Sequence, residues 1–261
     1  MATLAFTVTS PREGGAVFRQ IADHLRHAIA SGRLIEGDQL PSETQLGDHY
    51  GVTRMTARNA LDVLMAEGLI VKEHGRGAFV RRRPRVRRLG SDRFARRHRD
   101  KGKAAFTVEV EGAGGRPSVD QLVVTEQEAA PDAAARLHLD TGDRVVARRR
   151  RYLIDGFPVE FATSYVPARI ATGTQIAEPD SGPGGIYRRL EELGHRLDHF
   201  DEEIQARMPT PDEARTLVLA PGVPVFHLVR TAWDTNGQPV EVCDTVMSAD
   251  SYVLDYTLPA H

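Results

Sequence analysis

Apolar residues recur at helical spacing at Val17, Ile21, Leu25, Ala28 and Ile29, which predicts a first helix from Ala16 with Gly32 placed to end it. The segment LPSETQLGDHYGVTRMTARNALDVLMAEGLI then reads as two short helices joined by a glycine turn. Ser42 is an N-cap with Gln45, three residues on, as its capping-box partner, and that helix runs to about Tyr50 before the turn at Gly51. Thr53 caps the next helix and Gly68 terminates it. Two short helices in this order are the signature of a helix-turn-helix. At about 100° per residue, Ala57, Ala60, Leu61 and Leu64 of the second helix share the face that packs inward. Arg54, Met55, Arg58, Asn59 and Asp62 share the outer face. Arginine can fork onto guanine or phosphate and asparagine can pair with adenine, which suits a major groove. Taken alone, the same face reads first as an ordinary solvated one, and it is the context that favours DNA. Leu69-Ile70-Val71 and Ala78-Phe79-Val80 read as short strands around Lys72-Glu73-His74-Gly75-Arg76-Gly77, with His74 and Arg76 projecting from a tight tip. A hairpin in that place is a wing, able to reach the adjacent minor groove.

Further along, two stretches follow one plan about 80 residues apart, one from Ala130 and one from Thr210. Pro131, Asp132, Leu137, Leu139, Gly142 and Arg150 match Pro211, Asp212, Leu217, Leu219, Gly222 and Arg230. After one extra residue, Gly156, Pro158, Val159 and Glu160 match Gly237, Pro239, Val240 and Glu241. Each copy predicts a short helix, a strand, a turn and a second strand. Thr210-Pro211-Asp212-Glu213 is a capping box, and Asp155-Gly156 and Asn236-Gly237 are hairpin turns. GGIYRRLEELG, between the copies, reads as an amphipathic helix. The pattern predicts an α+β domain of antiparallel hairpins with helices against one face. Alternation places Glu160, Ala162 and Ser164 on one face and Glu241, Cys243 and Thr245 on the equivalent one. The acids of FDEEI and VEVCD read as surface charges.

Charge divides the chain. Through Lys103 there are 20 Lys and Arg against 11 Asp and Glu, and after it 14 against 25. A basic front joined to an acidic remainder suggests that only the first part meets a polyanion. Residues 81–103 hold 12 Lys and Arg against Asp92 and Asp100. Such a run predicts a connector that is either solvated or an extra phosphate-binding arm, in which FARRHRDKG forms a short helix when bound. The organisation is therefore a DNA-binding domain over 11–80, a basic linker over 81–103 and a second domain over 104–261. The composition, 41% apolar and 27% charged, is that of a water-soluble globular chain. The start MATLAFTVTSPREGG lacks a signal-peptide pattern, no apolar run approaches the roughly 18 residues of a membrane helix, and Cys243 is alone. These features predict a cytoplasmic protein with no membrane partner.

Residues 16–80 resemble the N-terminal domain of GntR-type bacterial repressors, in motif order as well as spacing. The resemblance implies a winged helix-turn-helix in which Ser42 and Thr53 contact phosphates at helix starts. It implies DNA contacts from Arg54, Thr56 and Arg58, with Asn59 beside them, and a wing tip at His74, Gly75 and Arg76. Many members have arginine where this chain has Thr44. Residues 104–258 are similar to the UTRA ligand-sensing domain of the HutC branch, whose fold is like that of chorismate lyase. That likeness implies an antiparallel sheet with helices, dimerisation, and an effector pocket including Arg150, Tyr152, Ser164 and Glu241. Arg150 would take a carboxylate or phosphate, and Ser164 and Glu241 hydroxyls or an amine. The alternatives are a solvated arginine run over Arg148–Arg151 and a surface strand position for Glu241. Members that sense sugar phosphates carry a second arginine at the place of Tyr152, a glutamate at Ala162 and a polar group at Met247, so a larger or less charged ligand is expected. The segments RFARRHRDKGKAAF and SGPGGIY also look like those of transfer repressors on actinomycete conjugative plasmids.

Nothing nominates a catalytic residue, a cofactor or a metal. His195 and His199 have the spacing of a helical metal pair, but Gly194 is placed to end the helix before them. The expected protein is a homodimer on double-stranded, pseudo-palindromic operator DNA, released by a small-molecule effector. Its rivals are a DNA-binding dimer without an effector and a small-molecule enzyme with a basic accessory domain.

Overall fold

A computed structural model describes residues 16–73, 75–81, 86–90 and 105–257, which form two compact units divided near residue 83. In the N-terminal unit, α1 (Val17–Ala30), α2 (Glu43–Tyr50) and α3 (Arg54–Ala66) precede a hairpin of β1 (Ile70–Glu73) and β2 (Gly77–Val80). Local chemistry sets each boundary. Ser42 and Gln45 form the reciprocal capping box, Gly51 takes φ 65° at the turn, and Thr53 accepts from the Thr56 amide at 3.3 Å. Ala57, Ala60, Leu61 and Leu64 are all buried, against Ile21 and Leu25 of α1 and Leu46 of α2. The chain at Asp38–Leu40 runs beside β2, with Leu40 N donating to Ala78 O at 2.8 Å and Val80 N to Asp38 O at 2.8 Å. Thus β2 is paired on both sides.

The C-terminal unit holds a six-stranded antiparallel sheet in the order β4-β5-β6-β9-β8-β7. Its strands are β4 (Pro117–Glu128), β5 (Arg144–Ile154), β6 (Phe157–Pro167), β7 (Leu197–Arg207), β8 (Val225–Asp234) and β9 (Pro239–Ser248). The helices are α4 (Ala105–Gly112), α5 (Pro131–Arg136), α6 (Ala168–Ala171), α7 (Gly185–Glu192) and α8 (Pro211–Thr216). The order is symmetric about the β6–β9 pair, and so is the sequence. The duplication is longer than its turns suggest, because each half is a helix, an edge strand, a short helix and a hairpin. The helix in GGIYRRLEELG, α7, opens the second half as α4 opens the first.

Two expectations are corrected here. Helices do not cover one face alone. Every residue of β9 except Asp244 is buried, so both faces of the centre need apolar cover. Ile186 and Leu190 of α7 pack with Val146 and Val166, while Leu137, beyond α5, packs with Val145 and Val242 on the reverse. The basic stretch is also not all connector. Val86–Leu89 form β3, which pairs in parallel with β10 (Tyr252–Asp255). Val86 and Arg88 alternate inward and both are buried, so a pattern too short to register as a strand is one. The rest of that stretch, including the helix expected in FARRHRDKG, lies outside the described residues.

The hairpin turns fall where expected but differ in kind. Asp155 (φ 51°) and Gly156 (φ 83°) are both left-handed, as a type I′ turn requires. At the second turn Gly237 is left-handed and Asn236 is not, and Asp234 instead accepts from the amides of Asn236 (2.9 Å) and Gln238 (3.0 Å). No described helix is long and apolar enough to cross a membrane.

Two side chains fasten the periphery to the sheet. Arg148, 3% exposed, donates to the carbonyls of Ile176 (2.6 Å), Glu178 and Pro179 (2.9 Å), so it closes the loop after α6. Arg148→Met keeps the bulk and removes these donors; it is expected to lower unfolding free energy by on the order of 3 kcal/mol in urea titration. Glu213 completes the Thr210 capping box and takes a two-pronged bond from Arg207, at 2.6 and 2.7 Å. The Arg207 fork holds its carboxyl at about 2, below the 4.5 of a free glutamate. A lowered folded value means the contribution is complete above pH 4.5 and lost as the pH falls towards 2, on the order of 3 kcal/mol in all. Glu213→Gln is expected to flatten the stability profile across that window, measured by urea titration from pH 5 to pH 2.

Candidate DNA-reading face and effector site

The outer face of α3 presents Arg54, Met55, Arg58 and Asn59 exposed, at the end whose capped amides favour an anion. Arg54 is steered by Glu43, whose Oε2 accepts from its Nε at 3.0 Å. Arg58 has no ion pair among the described residues. Thr56 is half-buried, with its hydroxyl 3.0 Å from that of Thr53. The Ser42 hydroxyl receives the Gln45 amide at 3.2 Å. Both capping hydroxyls therefore sit at helix starts, as expected. Asp62, expected on the open face, is half-buried and bound at 2.7 Å by Lys72 of β1, which also lies 3.9 Å from Glu43. Lys72 is the cation that the sequence reading passed over; its place between two acids one helix apart is a tertiary feature. At the hairpin, Gly75 and Arg76 are exposed, Gln39 holds the Arg76 carbonyl at 2.7 Å, and the Arg76 guanidinium pairs with Glu73 over the Phe79 ring. His74 lies outside the described residues.

On the sheet, register decides what meets. Arg150 stands opposite Ala162, Ala162 opposite Thr245, Ser164 opposite Cys243 and Cys243 opposite Arg230. Arg150, Ser164, Cys243 and Arg230 thus share one face across four strands. Three of the four predicted effector residues touch. The Nε of Arg150 donates to the Tyr152 hydroxyl, and its Nη2 to Ser164 Oγ at 3.3 Å. Burial works against this guanidinium, but Tyr152, Cys243 and Glu241 outweigh it and raise its pKa, so it stays charged. No carboxylate lies within ion-pair distance of it among the described residues.

Glu241, the fourth, sits apart on the same face, wholly buried rather than at the surface. Its Oε2 accepts from the Tyr187 hydroxyl at 2.8 Å and lies 3.9 Å from Arg230 Nη2. Its Oε1 is buried with no hydrogen-bond partner among the described residues. A buried carboxylate oxygen without a donor is costly, and a ligand donor would satisfy it. Burial drives the Tyr187 pKa well up, which keeps this hydroxyl a donor.

The sequence reading missed Arg230, Tyr187 and Glu160. The repeat holds a signal for two of them, since Arg150 matches Arg230 and Glu160 matches Glu241. Glu160 is buried and accepts from Tyr252 at 2.7 Å, as Glu241 does from Tyr187. Glu202 of FDEEI, expected at the surface, is bound by buried Arg88. The arginine run is not a solvated stripe either: Arg148 is buried, Arg150 and Arg151 are half-buried, and only Arg149 is exposed. His195 and His199 share no helix. The first bonds Asp234 at 3.0 Å; the second lies in β7, stacked on Trp233.

Residues 18–80 match the family described as bacterial regulatory proteins, gntR family, and residues 112–253 match the UTRA domain. An uncharacterized HTH-type transcriptional regulator of Streptomyces coelicolor is 33% identical over 245 residues, 92% of this chain and 91% of that protein. The histidine utilization repressor of Pseudomonas putida is 27% identical over 235 residues, 87% of this chain and 86% of its own. The crystal structure of PhnF from Mycobacterium smegmatis shares the fold, with a TM-score of 0.57 at 22% identity over 94% of this chain and 100% of that one. With helix-turn-helix and sheet thus both accounted for, the chain belongs to the gntR family of bacterial regulatory proteins and is a DNA-binding transcription regulator with a ligand-binding UTRA domain.

Proposed function

We propose that the protein is a cytoplasmic homodimeric repressor that binds a pseudo-palindromic operator and releases it when a small anionic effector enters the UTRA domain. The observation that carries the effector half is the shared sheet face, where a charged guanidinium bonded to hydroxyls and to no carboxylate among the described residues shares a side with a buried carboxylate oxygen that lacks a donor. The effector therefore brings an anionic group to Arg150 and an N–H or O–H donor to Glu241, with Ser164 and Tyr152 orienting the first. Two-fold symmetry gives two half-sites, each read by α3 through Arg54, Thr56, Arg58 and Asn59 and flanked by the wing at His74, Gly75 and Arg76. Ser42 and Thr53 take phosphates. The basic residues of 81–103 add phosphate contacts as an arm. The reading includes no catalytic step and no cofactor.

One observation favours a second reading. Tyr152 and Ser164 already occupy two nitrogens of Arg150, the arrangement expected if the domain only dimerises. A thermal-shift panel of small carboxylates and phosphates separates the two. A true effector at 100 times its Kd adds about 2.7 kcal/mol of stability. Glu241→Gln and Arg150→Leu are each expected to abolish that gain, and a panel with no shift favours the second reading.

DNA reading is tested by fluorescence anisotropy on the chain's own upstream region, against a scrambled duplex, over a salt series. Arg58→Ala is expected to cost about 1–3 kcal/mol with loss of discrimination at one position, whereas loss of a phosphate contact lowers the salt slope by about one. Unchanged specific binding by Arg58→Ala and Arg54→Ala would remove α3 from the role.

A further inference from the structure

Beyond Glu241 the polar face continues as a chain of charged groups that ends on β3. Arg88 of β3, 2% exposed, forks Glu202 of β7, with Nη1 3.1 Å from Oε2 and Nη2 on Oε1. Its Nη1 also donates to the Tyr256 hydroxyl at 3.0 Å, which in turn donates to Glu202 Oε2 at 2.7 Å. On the other side, Arg230 Nη1 is 3.8 Å from that same Oε1. Arg230 Nη2 is 3.9 Å from Glu241 Oε2, and its Nε donates at 2.8 Å to Tyr187, which donates to Glu241. Two guanidiniums thus share Glu202, and two carboxylates share Arg230.

The sharing is unequal. Arg88 holds Glu202 at hydrogen-bond length, whereas Arg230 lies between Glu202 and Glu241, beyond that length from each, in a balance of these two described contacts. In a low-dielectric interior such a balance is sensitive to any change of charge on either side. Burial pushes the Glu202 carboxyl up, but Arg88, Tyr256 and Arg230 outweigh it and keep it ionised. Burial and Glu202 together push Tyr256 up to about 12, so it remains a donor.

We propose that Glu202 couples the Glu241 end of the effector site to strand β3. A donor group bound at Glu241 loosens the attraction of that carboxylate for Arg230. Arg230 then closes on Glu202 Oε1, where it competes with Arg88, and the hold on β3 weakens. Arg88 is the buried polar tie of this strand. The other ion pair of β3 among the described residues, Arg87 with Asp255 at 2.7 Å, is exposed and therefore weak. The consequence reaches function through chain connectivity, because only residues 81–85 separate β2 of the DNA-binding unit from Val86. Arg88 and Glu202 act here as positioning residues. The proposal rests on the effector reading above, but its test requires no ligand.

The test is backbone hydrogen exchange of the full chain, followed by mass spectrometry over peptides spanning residues 86–90. Glu241→Gln mimics a neutralised Glu241. It is expected to quicken exchange there about tenfold, within the usual range of coupling between sites. Exchange of the β1–β2 hairpin should not change. Tyr187→Phe, which breaks the bridge between Arg230 and Glu241, is expected to do the same should Glu241→Gln fold poorly. In a Glu202→Gln background neither change should alter residues 86–90 further. Unchanged exchange in both single variants overturns the coupling, as does an equal acceleration without Glu202 or one spread over every strand. An empty thermal-shift panel beside a positive exchange result would instead fail the effector reading alone.

Discussion

The C-terminal unit depends on the pairing of β6 with β9, two strands from different halves of its internal repeat that are covered on both faces. A strand in that position can carry polar side chains only if each finds a partner out of water. Ser164 lies beside Arg150 and Cys243; Glu160 takes Tyr252; Glu241 takes Tyr187 and has one oxygen left over. The polar face in the middle of the domain is therefore a closed system of bonds with few openings. At Glu241 Oε1, buried without a hydrogen-bond partner among the described residues, a ligand donor would gain a bond.

The internal two-fold allows one half to be read against the other. Arg150 and Arg230 occupy equivalent positions, yet Arg230 lies between Glu202 and Glu241 while Arg150, among the described residues, bonds hydroxyls. Glu160 and Glu241 are equivalent too, and each accepts from a tyrosine, although the two tyrosines come from unrelated places, β10 and α7. The same backbone plan has thus been filled with different charge balances. One half completes its ionic partners internally and the other does not. That asymmetry, rather than the fold, distinguishes the two arginines.

Much of the N-terminal unit was legible because its signals are local. Ser42, Gln45, Gly51 and Thr53 act within a few residues of themselves, and the inward stripe of α3 needs only the helical period. Similarly, the repeat betrayed its hairpins through glycines in matching places. What escaped was non-local. β3 is a four-residue strand in a run of arginines, and its partner β10 follows more than 160 residues later. Glu202 looks like one acid among three in FDEEI, and only the cross-strand placement of Arg88 and Arg230 draws it inside. Helices on both faces of the sheet follow from burial of the central pair, which a period-two pattern cannot report when both sides are apolar.

The choice of basic residue joins these threads. After Lys103 all 14 basic residues are arginines. A buried ammonium is a strongly hydrated point charge, whereas a guanidinium is flat, weakly hydrated and offers five donors in a fixed fork. Arg148 uses that fork on three carbonyls, Arg151 on Asp120 and the Thr216 carbonyl, and Arg88 on Glu202 and Tyr256. A lysine at any of these places would leave acceptors without donors. In the N-terminal unit the same side chain does opposite work at Arg54 and Arg58, exposed and aimed outward, where its fork suits the edge of a base or a phosphate. An excess of arginine therefore says little by itself about nucleic acid. What separates the two uses is whether the fork finds its acceptors within its own unit, and on α3 Arg58 pairs with none of the described residues.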